Sequence, residues 1–313
     1  MSMLNYLLKR IIQIIPVLII VSILIFFMIR LIPGDPALIR LGDKATPQMV
    51  ENLRREMGLD KPIIVQYVIF MKNLLKLDLG DSLHYHVPIV DLLKKRMVVT
   101  LFLTAVTFIF SVVISFPLGF LSGIKENKIQ DQIVRTAALI ALSMPQFWVG
   151  LILMILFAVS INLFPVGGWG ETWAQHLRAI ILPAFTQSLM TAALLTRNLR
   201  NSVVDILKMD YVNFARSKGL DNKIVKSRYI IKNAMIFYIT LISMRVAYML
   251  GGSIIIETVF SLPGVGSLMI SSIYTRDYAV IQGIVLIFAL LVMSINILTD
   301  LAYTYLDPRV RLE

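Results

Sequence analysis

The sequence predicts an all-α membrane protein with six transmembrane helices. Of its 313 residues 58% are hydrophobic, and its mean hydropathy is +0.80. A soluble core of this size could not hide so much apolar surface, so we expect much of it to face lipid. Six apolar runs are long enough to approach or cross a hydrocarbon layer about 30 Å thick. The predicted spans are Ile11–Leu31, Met97–Ile124, Ile133–Ile161, Ala179–Leu195, Ala234–Ile256 and Tyr278–Thr299.

The charges in the connections predict the orientation of these spans. Lysine and arginine are enriched in the cytoplasmic loops of membrane proteins. They dominate before the first span, between the second and third, and between the fourth and fifth, whereas the connections between the third and fourth spans and between the fifth and sixth balance arginine with acidic residues. Both termini are therefore predicted to be cytoplasmic. The net charge of +11 follows from this bias and does not indicate a nucleic-acid partner, and the absence of cysteine excludes a disulfide framework.

The segment 35–96, after the first span, is predicted to be an external helical insertion. Pro47 marks the start of one helix, and Gly58 follows its end. Pro62 opens a second helix. Both are predicted to be short amphipathic helices that lie on the membrane face or against the helical bundle. Neither an internal repeat nor a linker divides the sequence, so residues 1–313 are predicted to form one transmembrane domain.

A basic, polar segment at 198–232 separates the fourth span from the fifth. Together with Arg197 directly before it, it contains nine lysines and arginines but three aspartates, a net charge of +6. Apolar residues recur there in steps of three and four, which predicts an amphipathic helix ended by Gly219, with Asp221 placed to cap the next helix. Such a helix-turn-helix favours docking of a cytoplasmic partner, although an ordinary positively charged loop is the alternative. The recurring residues are Val204, Leu207, Tyr211 and Phe214.

Short motifs follow one another along the whole chain. They are Leu31–Ala37, Met57–Pro62, Leu77–Ser82, Ser143–Trp148, Ile181–Ala184, Asp210–Leu220, Gly251–Ser253, Glu257–Phe260, Pro263–Gly266, Arg276–Tyr278 and Leu306–Arg309. In this order and on this topology, the chain resembles the permease subunits of ABC importers in the oligopeptide/dipeptide/nickel family. The string Asp210–Leu220 resembles the cytoplasmic coupling loop of these permeases.

The resemblance implies a role for the basic segment and a set of partners. It implies a multi-pass protein of a bacterial or archaeal plasma membrane, with a homologous second permease, two cytoplasmic ATPase subunits and an external substrate-binding protein. The chain itself would hold no cofactor, because ATP and magnesium would bind the ATPase subunits. The residues implied to contact the ATPases are Asp210, Tyr211, Val212, Phe214, Ala215, Lys218 and Gly219.

The coupling loop departs from the family pattern at two points. Asn213 and Phe214 stand where Glu-Ala is usual. The proline expected after the second helix is missing, and Phe237 occupies the equivalent place. Val212, Phe214 and Ala215 still offer an apolar face for a partner groove, so the first departure is mild. The second leaves open how the chain bends into the fifth span.

The sequence contains no Gly-x-x-x-x-Gly-Lys-Ser/Thr phosphate loop, so the chain is not expected to bind ATP in that way. An ion-coupled secondary transporter is a second hypothesis, but such carriers hold carboxylates or broken helices near the middle of the membrane. The spans here contain few ionisable groups, of which Arg245 and Asp300 stand out. A membrane-embedded enzyme is a third hypothesis, without a Ser/His/Asp set or an His-Glu-x-x-His motif to support it.

Four residues of the fifth span are predicted to line the translocation pathway. Arg245 lies about 17 Å into the span at helical rise, where a guanidinium must face water, a carbonyl or an acid. It is predicted either to meet a substrate carboxylate or to form a buried pair with Asp300 or a helix C-terminus. Small residues at two positions would let helices approach closely. The four residues are Arg245, Gly251, Gly252 and Glu257.

The cargo is the least determined part of this interpretation. Peptides are the first hypothesis, nickel or another metal chelate the second, and glutathione-like or sugar-derived molecules the third. His84 and His86 could offer two imidazoles to a metal, but two ligands without a third nearby make an incomplete site.

Overall fold

A computed structural model of the protein describes residues 3–31, 36–41, 45–56 and 58–306. Regular secondary structure in these ranges is helical throughout, which confirms the predicted all-α class. The motif residues at 32–35, at 57 and at 307–309 lie outside the described residues. In chain order the helices are α1 (Met3–Leu31), α2 (Pro36–Leu41), α3 (Pro47–Glu56), α4 (Ile63–Leu75), α5 (Ile89–Ile124), α6 (Ile129–Ser143), α7 (Gln146–Met154), α8 (Trp173–Leu207), α9 (Asp210–Ser217), α10 (Asn222–Ile224), α11 (Lys232–Val259), α12 (Val265–Tyr274) and α13 (Tyr278–Leu306).

Five helical segments among the described residues are long and apolar enough to cross a membrane. They contain α1, α5, α8, α11 and α13. The third predicted span is not one continuous helix: α6 and α7 meet at an angle of 101°, and they make a sixth span only if counted together. Pro145 causes the break, because a residue before proline is driven out of the helical region, and Met144 is extended (φ −91°, ψ 134°).

The described residues fall into two compact units, one of which is formed by residues 99–266 and the C-terminal part of α13. Within it, α5 and α8 approach each other closely at two glycines. A Cβ atom on Gly119 would lie 2.9 Å from the backbone oxygen of Thr196, and one on Gly123 would lie 2.6 Å from Cβ of Val203. Because only glycine fits at these positions, the two helices are locked together at this level.

The other unit contains residues 2–98 and 267–293. The predicted short helix after Pro62 forms here as α4 and packs against α1. The Tyr67 hydroxyl lies 2.9 Å from Ser22 Oγ, and the rings of Tyr67 and Phe26 are 5.2 Å apart. In the same unit, the fully buried carboxylate of Asp277 accepts a hydrogen bond of 2.6 Å from Ser82 Oγ, which anchors the turn between α4 and α5.

Candidate functional site

The basic segment folds into a short helix between two long ones, and its boundaries differ from the prediction. The helix that begins in the fourth span continues to Leu207, and α9 starts three residues later at Asp210. The predicted single helix through Val204 and Phe214 is therefore two helices. Gly219 adopts a left-handed conformation (φ +76°) after α9, and Asp221 accepts a hydrogen bond of 3.0 Å from the Lys223 amide, as predicted for a stop and a cap.

Helix α9 has one face turned into its own subunit and one face turned outward. Val212 and Ala215 are 0% and 3% exposed, and they belong to the same hydrophobic core as Leu199 of α8. Tyr211 and Phe214 are 40% and 61% exposed. The predicted apolar face of Val212, Phe214 and Ala215 is thus wrong, because residues two apart lie about 200° apart on a helix. The buried pair attaches α9 to its own chain.

The outward face of α9 is available for a contact. Phe214 carries the ammonium of Lys218 at 4.6 Å from its ring centroid, a cation–π contact that orients both side chains. Asp210, Lys218 and Gly219 are also exposed. A large exposed aromatic ring on a polar, basic segment is the kind of feature that marks a binding surface. We define the α9 surface by five of the predicted residues: Asp210, Tyr211, Phe214, Lys218 and Gly219.

The chain does not bend where a proline was expected before the fifth span. From Asn222 to Val259 it is helical throughout, with a π-helical segment at Val225–Ile231 between α10 and α11. Phe237 is an exposed residue of α11. A continuous helix, which includes these wider π turns, therefore leads from Asn222 into the fifth span.

Arg245 lies in the middle of α11 and is half-buried. Its guanidinium carbon is 5.6 Å from the ring centroid of Tyr248, an exposed residue one turn further along the helix. The aromatic face partly compensates the charge in an apolar setting. The side chain of Asp300 lies outside the described residues, so both hypotheses for Arg245 stay open.

The two glycines of the fifth span do not bring helices together within the described part of this chain. A Cβ atom on Gly251 would meet nothing within 4 Å, and one on Gly252 would make an ordinary contact of 3.6 Å with Gln187 Nε2. Gly251 instead lies on an exposed face of α11 with Tyr248 and Ile255. The close approaches expected here occur at Gly119 and Gly123.

Glu257 is buried in the interior and does not line an open surface. It is 0% exposed, and it accepts a hydrogen bond of 2.7 Å from Thr100 Oγ1. Thr100 in turn accepts one of 2.8 Å from the Val265 amide. Any Cβ atom on Gly264 would overlap with the Glu257 carboxyl group. Glu257 thus holds the glycine-containing turn before α12 against α5, and the predicted contact with cargo would require this packing to open.

Sequence reasoning missed two buried polar residues. Gln187 of α8 donates a hydrogen bond of 2.7 Å to the Met249 carbonyl and accepts one from Thr107, so it joins three helices. Asp131 of α6 forms an ion pair of 2.8 Å with Arg200 of α8. The available signal was a polar residue inside or beside an apolar span, where burial without a partner is costly.

The surroundings of each histidine are those of a surface or stacking residue. His84 and His86 are exposed, and the His176 ring stacks on Trp169 with centroids 4.4 Å apart. Across the part of the chain that the structure describes, no group of three His, Cys, Asp or Glu residues could hold a metal ion.

Comparison with known proteins places this geometry among membrane transport components. Residues 115–312 match the family described as binding-protein-dependent transport system inner membrane component, and residues 3–104 match its N-terminal counterpart. The chain is 37% identical over 309 residues to the glutathione transport system permease protein GsiC of Pectobacterium atrosepticum, covering 99% of both chains. It is 36% identical to a putative peptide transport system permease protein of Brucella abortus, covering 97% of this chain and 98% of the relative.

Two solved structures share the fold at low sequence identity. An inward-facing form of the MetNI methionine ABC transporter aligns with a TM-score of 0.58 at 18% identity, covering 70% of this chain and 97% of that chain. An amino acid ABC transporter aligns with a TM-score of 0.54 at 15% identity, covering 69% of this chain and 94% of that chain.

Proposed function

Because the chain belongs to the family of binding-protein-dependent transport system inner membrane components, we propose that it forms the translocation pathway for peptides delivered by an external binding protein. It is the permease subunit of an ABC importer, and ATP hydrolysis resides in separate subunits. This excludes the second and third hypotheses, the ion-coupled secondary transporter and the membrane-embedded enzyme. The observation that carries the proposal is α9, a helix anchored by two buried residues with an exposed aromatic surface.

In this mechanism the ATPase subunits bind the α9 surface from the cytoplasm. Closure of the ATPases around ATP displaces α9 as a rigid body, since Val212 and Ala215 fix it to the core of its own subunit. The helices packed in that core move with it and switch the bundle from inward-open to outward-open. Hydrolysis resets the cycle. ATP and magnesium bind only the two ATPase subunits, and a homologous second permease completes the pathway.

Peptides are the cargo that the relatives favour. One relative is named for glutathione, itself a tripeptide, and another for peptides, so the first and third hypotheses converge on small peptides. A nickel chelate is the weaker alternative, because His84 and His86 lie exposed without a third ligand among the described residues.

The cargo assignment is testable with the complete importer. The permease, its partners and the binding protein encoded beside it should be reconstituted in proteoliposomes, and ATP-dependent uptake of labelled di- and tripeptides, glutathione and nickel chelates compared. We expect accumulation of peptide or glutathione that stops when ATP is withheld. If the complex takes up the nickel chelate even in the presence of an excess of unlabelled peptide, the proposal is contradicted.

Replacing Arg245 is a further test of the pathway. If its guanidinium faces the pathway, Arg245→Ala should lower uptake of a peptide with a free carboxylate by about tenfold, because a charge-assisted hydrogen bond contributes about 1.5–3 kcal/mol. Arg245→Lys should retain part of the uptake, since lysine keeps the positive charge but lacks the bidentate geometry of the guanidinium group. Uptake and thermal unfolding of the assembled complex should be measured together.

The control for Arg245 is Tyr248→Phe, which keeps the ring against the guanidinium. A drop in melting temperature that matches the loss of uptake in both Arg245 variants would instead indicate a structural ion pair. Normal uptake by Arg245→Ala would remove this residue from the pathway.

A further inference from the structure

A buried ion pair joins three elements next to α9. The Asp131 carboxylate, in the first turn of α6, is 0% exposed. Arg200 of α8 donates to both of its oxygens, from Nη2 at 2.8 Å and from Nε at 3.1 Å. Ser122 Oγ of α5 donates at 2.6 Å, and the Asn127 amide donates at 2.9 Å. The carboxylate thus collects four hydrogen bonds in a bidentate geometry that fixes its position.

Helix α6 runs close to α8, but few of its side chains are buried there. All of its 15 residues are described, and Asp131 and Val134 are the two that are buried. A groove of about 750 Å³ runs beside α6 and α8, from Arg200 at the ion pair to Leu139 and Thr196 further along the two helices. At its far end α6 meets α7 at the 101° break. The helix therefore buries side chains at one end and lies alongside α8 with exposed or half-buried side chains over the rest of its length.

The part of α8 that carries Arg200 packs in the same hydrophobic core as α9. Leu199 and Val203 flank Arg200 on α8, and both belong to the core that contains Val212 of α9. The glycine contacts lock this part of α8 to α5, where a Cβ atom on Gly123 would overlap Val203. A displacement of α9 must therefore move the segment that carries Arg200, because tightly packed interiors transmit strain instead of absorbing it.

We infer that the Asp131–Arg200 ion pair is the pivot through which displacement of α9 reaches α6 and α7. The inference rests on the proposed function of the α9 surface. Both residues are positioning residues, because they act on the orientation of α6 and contact neither ATP nor cargo. The bidentate ion pair fixes the buried end of α6, and the other side chains of the helix, which are not buried, allow that part to slide against α8.

The test separates coupling from folding by measuring cargo transported per ATP hydrolysed in the reconstituted complex. Arg200→Lys keeps the positive charge but loses the bidentate geometry of the guanidinium group. The complex should therefore assemble and still hydrolyse ATP. We expect transport per ATP to fall by about fivefold or more, in the range typical of energetic coupling between sites. Asp131→Asn, which leaves Arg200 with an uncharged partner, should lower the ratio further.

The matched control is the surface pair of half-buried Glu126 and exposed Lys208, 3.5 Å apart near α9. Glu126→Gln removes a charge there, and transport per ATP should not change because surface pairs contribute little. An unchanged ratio in Arg200→Lys, or a loss that reflects only the amount of assembled complex, would overturn the inference. Failure of the proposed function would look different: Phe214→Asp would leave assembly with the ATPases intact.

A distance measurement tests the pivot even if the ion-pair variants fail to assemble. The chain contains no cysteine, so spin labels can be placed at chosen pairs in the otherwise unmodified complex. Labels at Gln132→Cys and Asn201→Cys flank the ion pair, and labels at Ile140→Cys and Met190→Cys lie further along α6 and α8. We expect the second distance to change between nucleotide-free and ATP-bound complexes while the first stays constant. Equal changes in both, or a change in neither, would refute a pivot.

Discussion

Replacing Phe214 with aspartate is expected to abolish ATP-driven uptake while leaving the permease folded in the membrane. The ring is 61% exposed, so its own subunit loses little packing when it is removed. An aromatic anchor at the centre of an interface commonly contributes about 2 kcal/mol or more, which corresponds to roughly 30-fold in affinity for the ATPase subunits. The measurement is co-purification with the ATPases together with cargo-stimulated hydrolysis.

Two variants of neighbouring residues sharpen this test. Asn213→Asp places the same negative charge at the exposed neighbouring position, outside the α9 surface, and it should leave assembly largely unchanged. Ala215→Arg should fail in a different way, because Ala215 is 3% exposed and a buried, unpaired charge destabilises the subunit itself. If Phe214→Asp binds the ATPases and stimulates hydrolysis as the unmodified chain does, the interface lies elsewhere.

The second large effect is expected at Gly264, in the turn before α12. A Cβ atom there would overlap with the Glu257 carboxyl group, which is fully buried and bound by Thr100. Since neither side can give way freely, Gly264→Ala should destabilise the subunit by about 1–3 kcal/mol through overpacking. The expected result is a lower melting temperature and less permease recovered from the membrane, measured by thermal unfolding of the purified chain.

Gly251→Ala is the matched control for this glycine. A Cβ atom on Gly251 would meet nothing within 4 Å, so an added methyl group should leave the melting temperature of the subunit unchanged or slightly higher. Equal melting temperatures for the unmodified chain and Gly264→Ala would show that the turn is not packed against Glu257 as described.

Local signals in the sequence were enough to predict the helices and much of the basic segment. The long apolar runs predicted spans because hydropathy summed over about 20 residues outweighs local variation. Gly219 and Asp221 predicted a stop and a cap, since these positions depend on backbone conformation within a few residues. The ordered motifs pointed to the family that the comparisons then showed.

The break in the third span also had a local signal in the sequence, but the prediction gave more weight to hydropathy. The motif Ser143–Trp148 contains Pro145, and its preceding residue is extended in the structure. Continuous hydropathy across this point suggested one span, because a hydropathy average does not sense backbone geometry. The rule for residues before proline was the better guide here.

By itself, the sequence determined the fold class, the apolar segments and the family, and it proposed the region that meets the ATPases. Tertiary structure alone decided which side of α9 is free, that Glu257 is interior, and that Asp131 reaches Arg200 across 69 positions of the chain. The physical reason is that helical periodicity and caps involve neighbours within a few residues, whereas burial and ion pairing depend on which distant helices pack together. A polar residue in an apolar sequence indicates that a hydrogen-bonding partner is needed, but only the packed fold shows which residue that partner is.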